Sequence, residues 1–290
     1  MYSVTAELCS SSCTSTLISQ LVCIKEGVTM AGQSLDLAIQ GLKELLREKE
    51  ELNEVAVAKI EKLVDELQRI RPPFLDPVVI NIRNGFNEFK INKFDKNPDL
   101  YNKLAEGQNP KYLVFACSDS RVSPTYTLNF QPGDAFMVRN IANMVPQFDQ
   151  IRYSGTGAAI EYAINALHVP NILVIGHSRC GGIKRLMELP QDDAFDFIDD
   201  WVKIGLPAKV KVLDEFPNYD FYEQCKFCEL VSVYNSLENL RTYPYVVREE
   251  KENRLRLYGG YYDFVKGEFS IWKHERPIIP RPPILPPRPL

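Results

Sequence analysis

Apolar residues recur at helical spacing from Leu35 to Ile70. Leu35, Ile39, Leu42 and Leu46 fall on one face, and Val57, Ile60, Val64 and Leu67 on another, so the pattern predicts two amphipathic helices. Asn53 before Glu54 supplies a cap between them, and charge runs such as Arg47 to Glu51 form the solvated side. An arm of this kind packs on its own domain or on a neighbouring subunit. Arg71-Pro72-Pro73 ends it, because proline lacks the amide donor that a helix needs. Asp76 then offers an N-cap and Pro77 a first helical residue, followed by an apolar stripe of Val79, Ile82, Phe86 and Phe89. Asn97-Pro98 repeats the device.

Beyond this point the period changes. Tyr112 to Ala116 and Asn171 to Ile175 are apolar runs too short for buried helices and rich in Val, Ile and Leu, which predicts buried strands. Asp134 to Arg139 reads as a third strand and Ser154 to Leu167 as a helix. This alternation predicts an α/β fold: a central, mainly parallel β-sheet flanked by helices and joined by right-handed crossovers. Glu223 to Leu240 continues as a helix. Arg254 to Tyr262 and Glu268 to Trp272, turning near Lys266-Gly267, form a C-terminal β-hairpin. Half of the residues from Pro277 onward are proline; such a tail cannot enter a sheet interior and is expected to be extended, with service as a ligand for an adaptor module as the alternative. The expected organisation is a leader over 1–34, an α/β domain with its N-terminal helical arm over 35–273, and a proline-rich tail over 274–290.

Composition narrows the function. A chain of 290 residues with 45% hydrophobic content can bury a large core. Its 34 Lys+Arg against 38 Asp+Glu leave a net charge of −4, which supplies no basic face for nucleic acid. No apolar run approaches the roughly 18 residues of a membrane span. Seven cysteines is an odd count that argues against a disulfide framework and for a reducing compartment. The leader is rich in Ser and Thr but nearly free of basic residues, an incomplete transit signal. Chloroplast stroma or cytoplasm is therefore expected, and secretion is not.

The candidate chemistry sits where the strands end. Tyr112 to Ala116 runs into Cys117, and Asn171 to Ile175 runs through Gly176 into His177, with Cys180 three residues later. In parallel α/β sheets, loops beyond the carboxyl ends of strands bring distant residues together. Two thiolates and an imidazole suit tetrahedral zinc, and three protein ligands leave a fourth position free, as in catalytic sites. Two thiolates also cancel the charge of the ion, so a bound water needs further help to ionise. Asp119 and Arg121, at alternate positions after Cys117, offer that help: a carboxylate to orient the water and a guanidinium to keep the carboxylate charged. The plain alternative is a strand-end salt bridge. Gly176, Gly181 and Gly182 are expected to let the second loop turn tightly. Cys225 and Cys228 form a Cys-x-x-Cys inside a predicted helix; partly buried free thiols are the expectation, redox or zinc chemistry the alternative. Cys9, Cys13 and Cys23 receive no role.

At Cys117-Ser118-Asp119-Ser120-Arg121-Val122 and Gly176-His177-Ser178-Arg179-Cys180-Gly181-Gly182 the sequence resembles the β-carbonic anhydrases, the plant branch above all. The likeness extends through Asn129 to Phe136, Val138 to Asn143 and Gly157 to Tyr162, and covers residues 35–273. The resemblance implies zinc on Cys117, His177 and Cys180, with Asp119 and Arg121 as the activating pair. It implies that Gln108 hydrogen-bonds bicarbonate while Val122, Phe136, Ile141, Tyr162 and the Gly181 backbone line an apolar CO2 pocket. It also implies a homodimer, with the pocket built across its interface and the N-terminal helices reaching over the partner. Reversible hydration of CO2 to bicarbonate is the function this implies; a catalytically silent, zinc-stabilised binding protein of the same fold is the alternative. Departures from the plant pattern are Ala166 and Thr125-Tyr126, where relatives carry histidines, with His168 on a helix but pointing elsewhere. After Trp272, Lys273-His274 and the tail replace the strand that relatives use to build larger assemblies.

Overall fold

A computed structural model describes residues 38–43, 54–69, 76–190 and 195–275. The expected leader, Leu35, Leu46, the 47–51 charge run, the Asn53 cap, the 71–73 linker and the proline-rich segment from 276 lie outside the described residues. The chain divides into two compact units, Met1–Lys96 and Asn97–Leu290.

The first unit holds a helical turn at 38–43, helix α1 (Glu54–Arg69) and helix α2 (Pro77–Phe89), which runs on to Phe94 in a wider π turn. Asp76 caps α2 as its sequence position predicts, its carboxylate accepting the Val78 N–H at 2.8 Å. Ile39 and Val64 are buried. The α2 stripe behaves otherwise: Val79, Ile82, Phe86 and Phe89 are all exposed.

The second unit begins with α3 (Pro98–Glu106), whose cap Asn97 makes no side-chain capping bond, unlike Asp76. Strand β1 (Tyr112–Cys117), strand β2 (Ala135–Asn140), helix α4 (Ser154–Glu161) and strand β3 (Asn171–His177) follow. Then come α5 (Gly181–Glu188), α6 (Leu206–Glu215), α7 (Phe221–Leu240) and α8 (Pro244–Lys251), and the hairpin β4 (Arg256–Asp263) and β5 (Glu268–Lys273). The five strands form one sheet in the order β2-β1-β3-β4-β5, parallel except for the last pair. The terminal hairpin thus extends the central sheet. Asp220 moves the start of α7 ahead of the expected Glu223, because its carboxylate accepts the Glu223 N–H at 2.9 Å.

Alternation along the strands sorts the core. Leu113 and Phe115 of β1, with Ile172 and Val174 of β3, pack against α4, α7 and Tyr243 on one face. Val114, Ala116, Leu173 and Ile175 form a separate cluster on the other face. Burying each large aliphatic or aromatic side chain contributes about 1.5–3 kcal/mol. A third cluster, from Cys117 and Val122 through α5, α6 and α7, closes the carboxyl end of the sheet. The predicted helix over 154–167 turns into a π turn at Tyr162–Ala166, and His168 lies beyond it, exposed and with φ 52°, so it is not on the helix. After β5, the His274 N–H bonds the Leu257 carbonyl at 2.8 Å and its ring nitrogen lies 2.6 Å from the Glu238 carboxylate. Among the described residues no helix is long and apolar enough to cross a membrane.

Candidate metal centre

Adjacency of β1 and β3 creates the site. Ala116 pairs with Ile175 across the two strands, so Cys117, the next residue of β1, and His177, two residues on in β3, both reach the carboxyl edge. Cys180 returns to the same place at the end of a short loop, immediately before α5. The potential ligand atoms of Cys117, His177 and Cys180 all lie within 4.8 Å of one another, and all three residues are buried.

The His177 ring is fixed by its neighbours. Nδ1 lies 2.9 Å from the Ser178 carbonyl, which can only accept, so Nδ1 carries the proton and Nε2 presents a lone pair. Nε2 is buried with no hydrogen-bond partner. A buried, unpartnered acceptor is costly in a folded protein, and one facing two sulfurs fits a metal ligand. Burial is the largest single influence and lowers the His177 pKa, but the Cys117 sulfur, the Ser178 carbonyl and Asp119 together raise it above its ordinary value. The Cys117 thiol is pulled down to about 4, first by its contact with Cys180, against the effect of burial, and with the help of His177. Cys180 moves the other way, raised by the same contact and by burial. One proton is thus shared between two sulfurs, and a cation among the three donors would displace it and hold both as thiolates. The donor set therefore fits zinc.

Beside this group, Asp119 and Arg121 form a two-pronged pair: Arg121 Nε to Asp119 Oδ1 at 2.9 Å and Nη2 to Oδ2 at 2.6 Å. The Arg121 backbone N–H adds a bond to Oδ1 at 2.9 Å. These contacts, the guanidinium first, hold the Asp119 carboxyl at about 2. Arg121 also donates to the Arg179 carbonyl at 3.3 Å and stacks over the Phe264 ring, tying the two loops together.

The expected substrate residues occupy several distinct places. Val122 is buried in the cluster that contains Cys117 and Cys180. Ile141 lies against the start of α5, since a Cβ on Gly182 would come within 2.8 Å of its Cγ2, and Gly181 opens that helix. Phe136 and Tyr162 pair with ring centroids 5.7 Å apart. Gln108 is exposed on the segment between α3 and β1. The second loop also differs from expectation in how it turns. None of Gly176, Gly181 and Gly182 takes a positive φ; Arg179 does, at 52°. Gly176 and Gly182 are required by close packing instead.

Three contributors went unread in the sequence. Arg139 donates to the Cys117 carbonyl at 2.9 Å and to the Asp119 carbonyl at 2.6 Å, holding the first loop. Glu229 accepts the Cys180 N–H, and Tyr261 donates to Glu229. A guanidinium at the end of an apolar strand, and a carboxylate between Cys228 and Leu230 in an apolar helical segment, were the available signals. Burial raises the Glu229 pKa.

Cys225 and Cys228 are free thiols on α7, as expected, and are buried rather than partly buried. Burial pushes them up to about 11 and about 12, which makes them poor nucleophiles.

Fold and site define a class: an α/β protein with a Cys-His-Cys group able to hold a metal ion at the carboxyl edge of its sheet. Comparison with known proteins narrows it. The carbonic anhydrase family profile matches residues 112–269. Beta carbonic anhydrase 3 of Arabidopsis thaliana is 50% identical over 247 residues, covering 84% of this chain and 95% of that protein. Among solved structures, the β-carbonic anhydrase CcaA superposes with a TM-score of 0.65 at 31% identity, covering 68% of this chain and 88% of that one. A tetrameric β-carbonic anhydrase from Sordaria macrospora gives 0.61 at 29%, covering 68% and 97%. The chain belongs to the carbonic anhydrase family, in its plant-type β class, and is thereby an enzyme, a carbon–oxygen lyase whose family supports CO2 hydration.

Proposed function

We propose that this chain hydrates CO2 reversibly to bicarbonate and a proton at a zinc site formed by Cys117, His177 and Cys180. The observation that carries this reading is the convergence of two sulfurs and an unpartnered, buried Nε2 within 4.8 Å. Zinc held there would polarise a coordinated water and supply the nucleophile near neutral pH.

The chain's own residues do the rest. Asp119 accepts a hydrogen bond from the attacking water and aims its lone pair at the substrate carbon. Arg121 clamps that carboxylate in place; with a pKa of about 2, Asp119 stays an acceptor throughout the working range. Val122, Phe136, Ile141, Tyr162 and the Gly181 backbone form the apolar lining that an uncharged substrate requires, and the Gln108 amide donates to the bicarbonate product. Ala166 and Thr125-Tyr126 supply no imidazole, so the released proton passes to buffer, and turnover is expected to rise with buffer concentration.

A homodimer completes the site. Tyr162 is 49% exposed and the α2 stripe is uncovered, surfaces that suit burial against a second copy. Light scattering after gel filtration that gives a monomer mass would overturn this. A reducing compartment, chloroplast stroma or cytoplasm, agrees with four free cysteines among the described residues.

The test is zinc content and stopped-flow CO2 hydration on one purified sample. Zinc with rapid hydration is the expected result; a zinc-loaded protein with no hydration would overturn the assignment.

A further inference from the structure

We infer that Glu229 is a positioning residue for the metal centre, fixing the sulfur of Cys180 through that residue's own backbone N–H, with Tyr261 aiming the carboxylate. The inference rests on the zinc reading above.

The loop from His177 to Cys180 is under backbone strain, because Arg179 sits at φ 52°. A non-glycine residue keeps such a conformation only where its surroundings over-determine it. Those surroundings can be named. The Ser178 N–H bonds the Tyr262 carbonyl at 3.0 Å, the Phe264 N–H bonds Ser178 Oγ at 3.1 Å, and Arg121 holds the Arg179 carbonyl. Beyond residue 179, α5 holds Cys180 from its C-terminal side, the Lys184 N–H bonding the Cys180 carbonyl at 2.9 Å and the Gly182 and Ile183 N–H groups facing its sulfur. At Cys180 the backbone N–H donates to Glu229 Oε1 at 3.0 Å, and the other carboxylate oxygen accepts the Tyr261 O–H at 2.7 Å.

Glu229 is 4% exposed, and among the described residues the groups that act on it are Tyr261, the Cys180 and Arg179 backbone and His177, with no Lys or Arg side chain among them. A buried carboxylate with hydrogen bonds but no cation beside it is a poor way to gain stability, since an apolar residue of similar size serves better. Its place is also sterically prepared. A Cβ on Gly176 would come within 2.7 Å of Val233 Cγ2 and 3.3 Å of the Glu229 carbonyl, so α7 lies directly against the end of β3. That approach lets a side chain from α7 reach under the loop. Anchoring the N–H fixes the peptide plane that leads into Cys180, the frame from which its Cα and sulfur are placed; metal–ligand distances tolerate only about ±0.2 Å.

The experiment compares zinc-loaded wild type with E229L, E229Q and Y261F. Zinc transfer to a chromogenic chelator is timed, and the thiolate-to-metal absorption band is recorded after cobalt(II) substitution. E229L, which removes the acceptor, is expected to release zinc roughly 10- to 100-fold faster and to shift the band. E229Q keeps an oxygen facing the Cys180 N–H and is expected to restore near-wild-type release; Y261F should fall between. A folded E229L with wild-type release and an unshifted band overturns the proposal, even if its melting temperature falls. If E229L does not fold, Y261F decides: faster release supports the proposal and unchanged release overturns it. A wild type that takes up no zinc overturns the metal reading beneath, whereas a zinc-loaded wild type beside an indifferent variant overturns this inference alone.

Discussion

The two loops that meet at the metal centre are held in opposite ways. The first, from Cys117 to Val122, is braced by ionised side chains: Arg121, its side chain 51% exposed, grips Asp119, and Arg139 holds the carbonyls of Cys117 and Asp119. The second, from His177 to Cys180, is braced mainly by backbone bonds and the buried Glu229, with 1% of His177 and 3% of Cys180 exposed. The contrast agrees with the roles proposed for the two loops, water and proton handling for the first and ion geometry for the second. A group that handles water and a proton must keep its charge and its access to solvent. Groups that set the geometry of an ion need rigidity and a dry surrounding.

That contrast can be broken most severely at the ligands themselves. Cys180→Ser should reduce bound zinc, measured by atomic emission, below detection and abolish hydration with it. Asp119→Ala should keep its zinc yet lose roughly 10²- to 10⁴-fold in kcat/KM by stopped flow; retention of full activity would remove Asp119 from the mechanism. Arg121→Gln sharpens the point through pH. The Asp119 pKa is depressed in the folded state from its ordinary 3.8 to about 2, so its contribution to stability is complete above the higher value and lost as pH falls through the lower. Without Arg121 the folded value moves back toward 3.8 and that acid-side loss disappears; an NMR titration of the Asp119 carboxyl in both proteins checks it. The smallest effect is expected on α7, beneath the second loop. Cys228→Ala should cost about 1 kcal/mol in denaturant unfolding and leave zinc content unchanged. In the native protein the two α7 thiols should resist alkylation at pH 8, as read by mass spectrometry of their peptide, because both stay protonated there.

Much of the fold was legible because strands and helices announce themselves by period. The runs over 112–116 and 171–175 proved to be β1 and β3, each extended to include its ligand, and the hairpin was found within a residue or two at each end. Helix boundaries were less legible. Asn97 occupies a capping position without making the side-chain bond, and the helix over 154–167 widens into a π turn, neither of which local composition encodes. The glycines around His177 were read as turn formers, whereas the left-handed position fell on Arg179 and two of the glycines serve close packing. Glu229 and Tyr261 stand 32 positions apart, too far for any local pattern to join them to Cys180.

By itself the sequence determined the kinds of atoms available to the centre and the strand ends that carry them, since both are properties of short segments. Only the tertiary structure decided that β1 and β3 are neighbours, that His177 exposes Nε2 and hides Nδ1, and that a carboxylate from α7 reaches the Cys180 backbone. Those facts depend on strand order and helix–sheet packing, which arise from contacts between residues far apart along the chain.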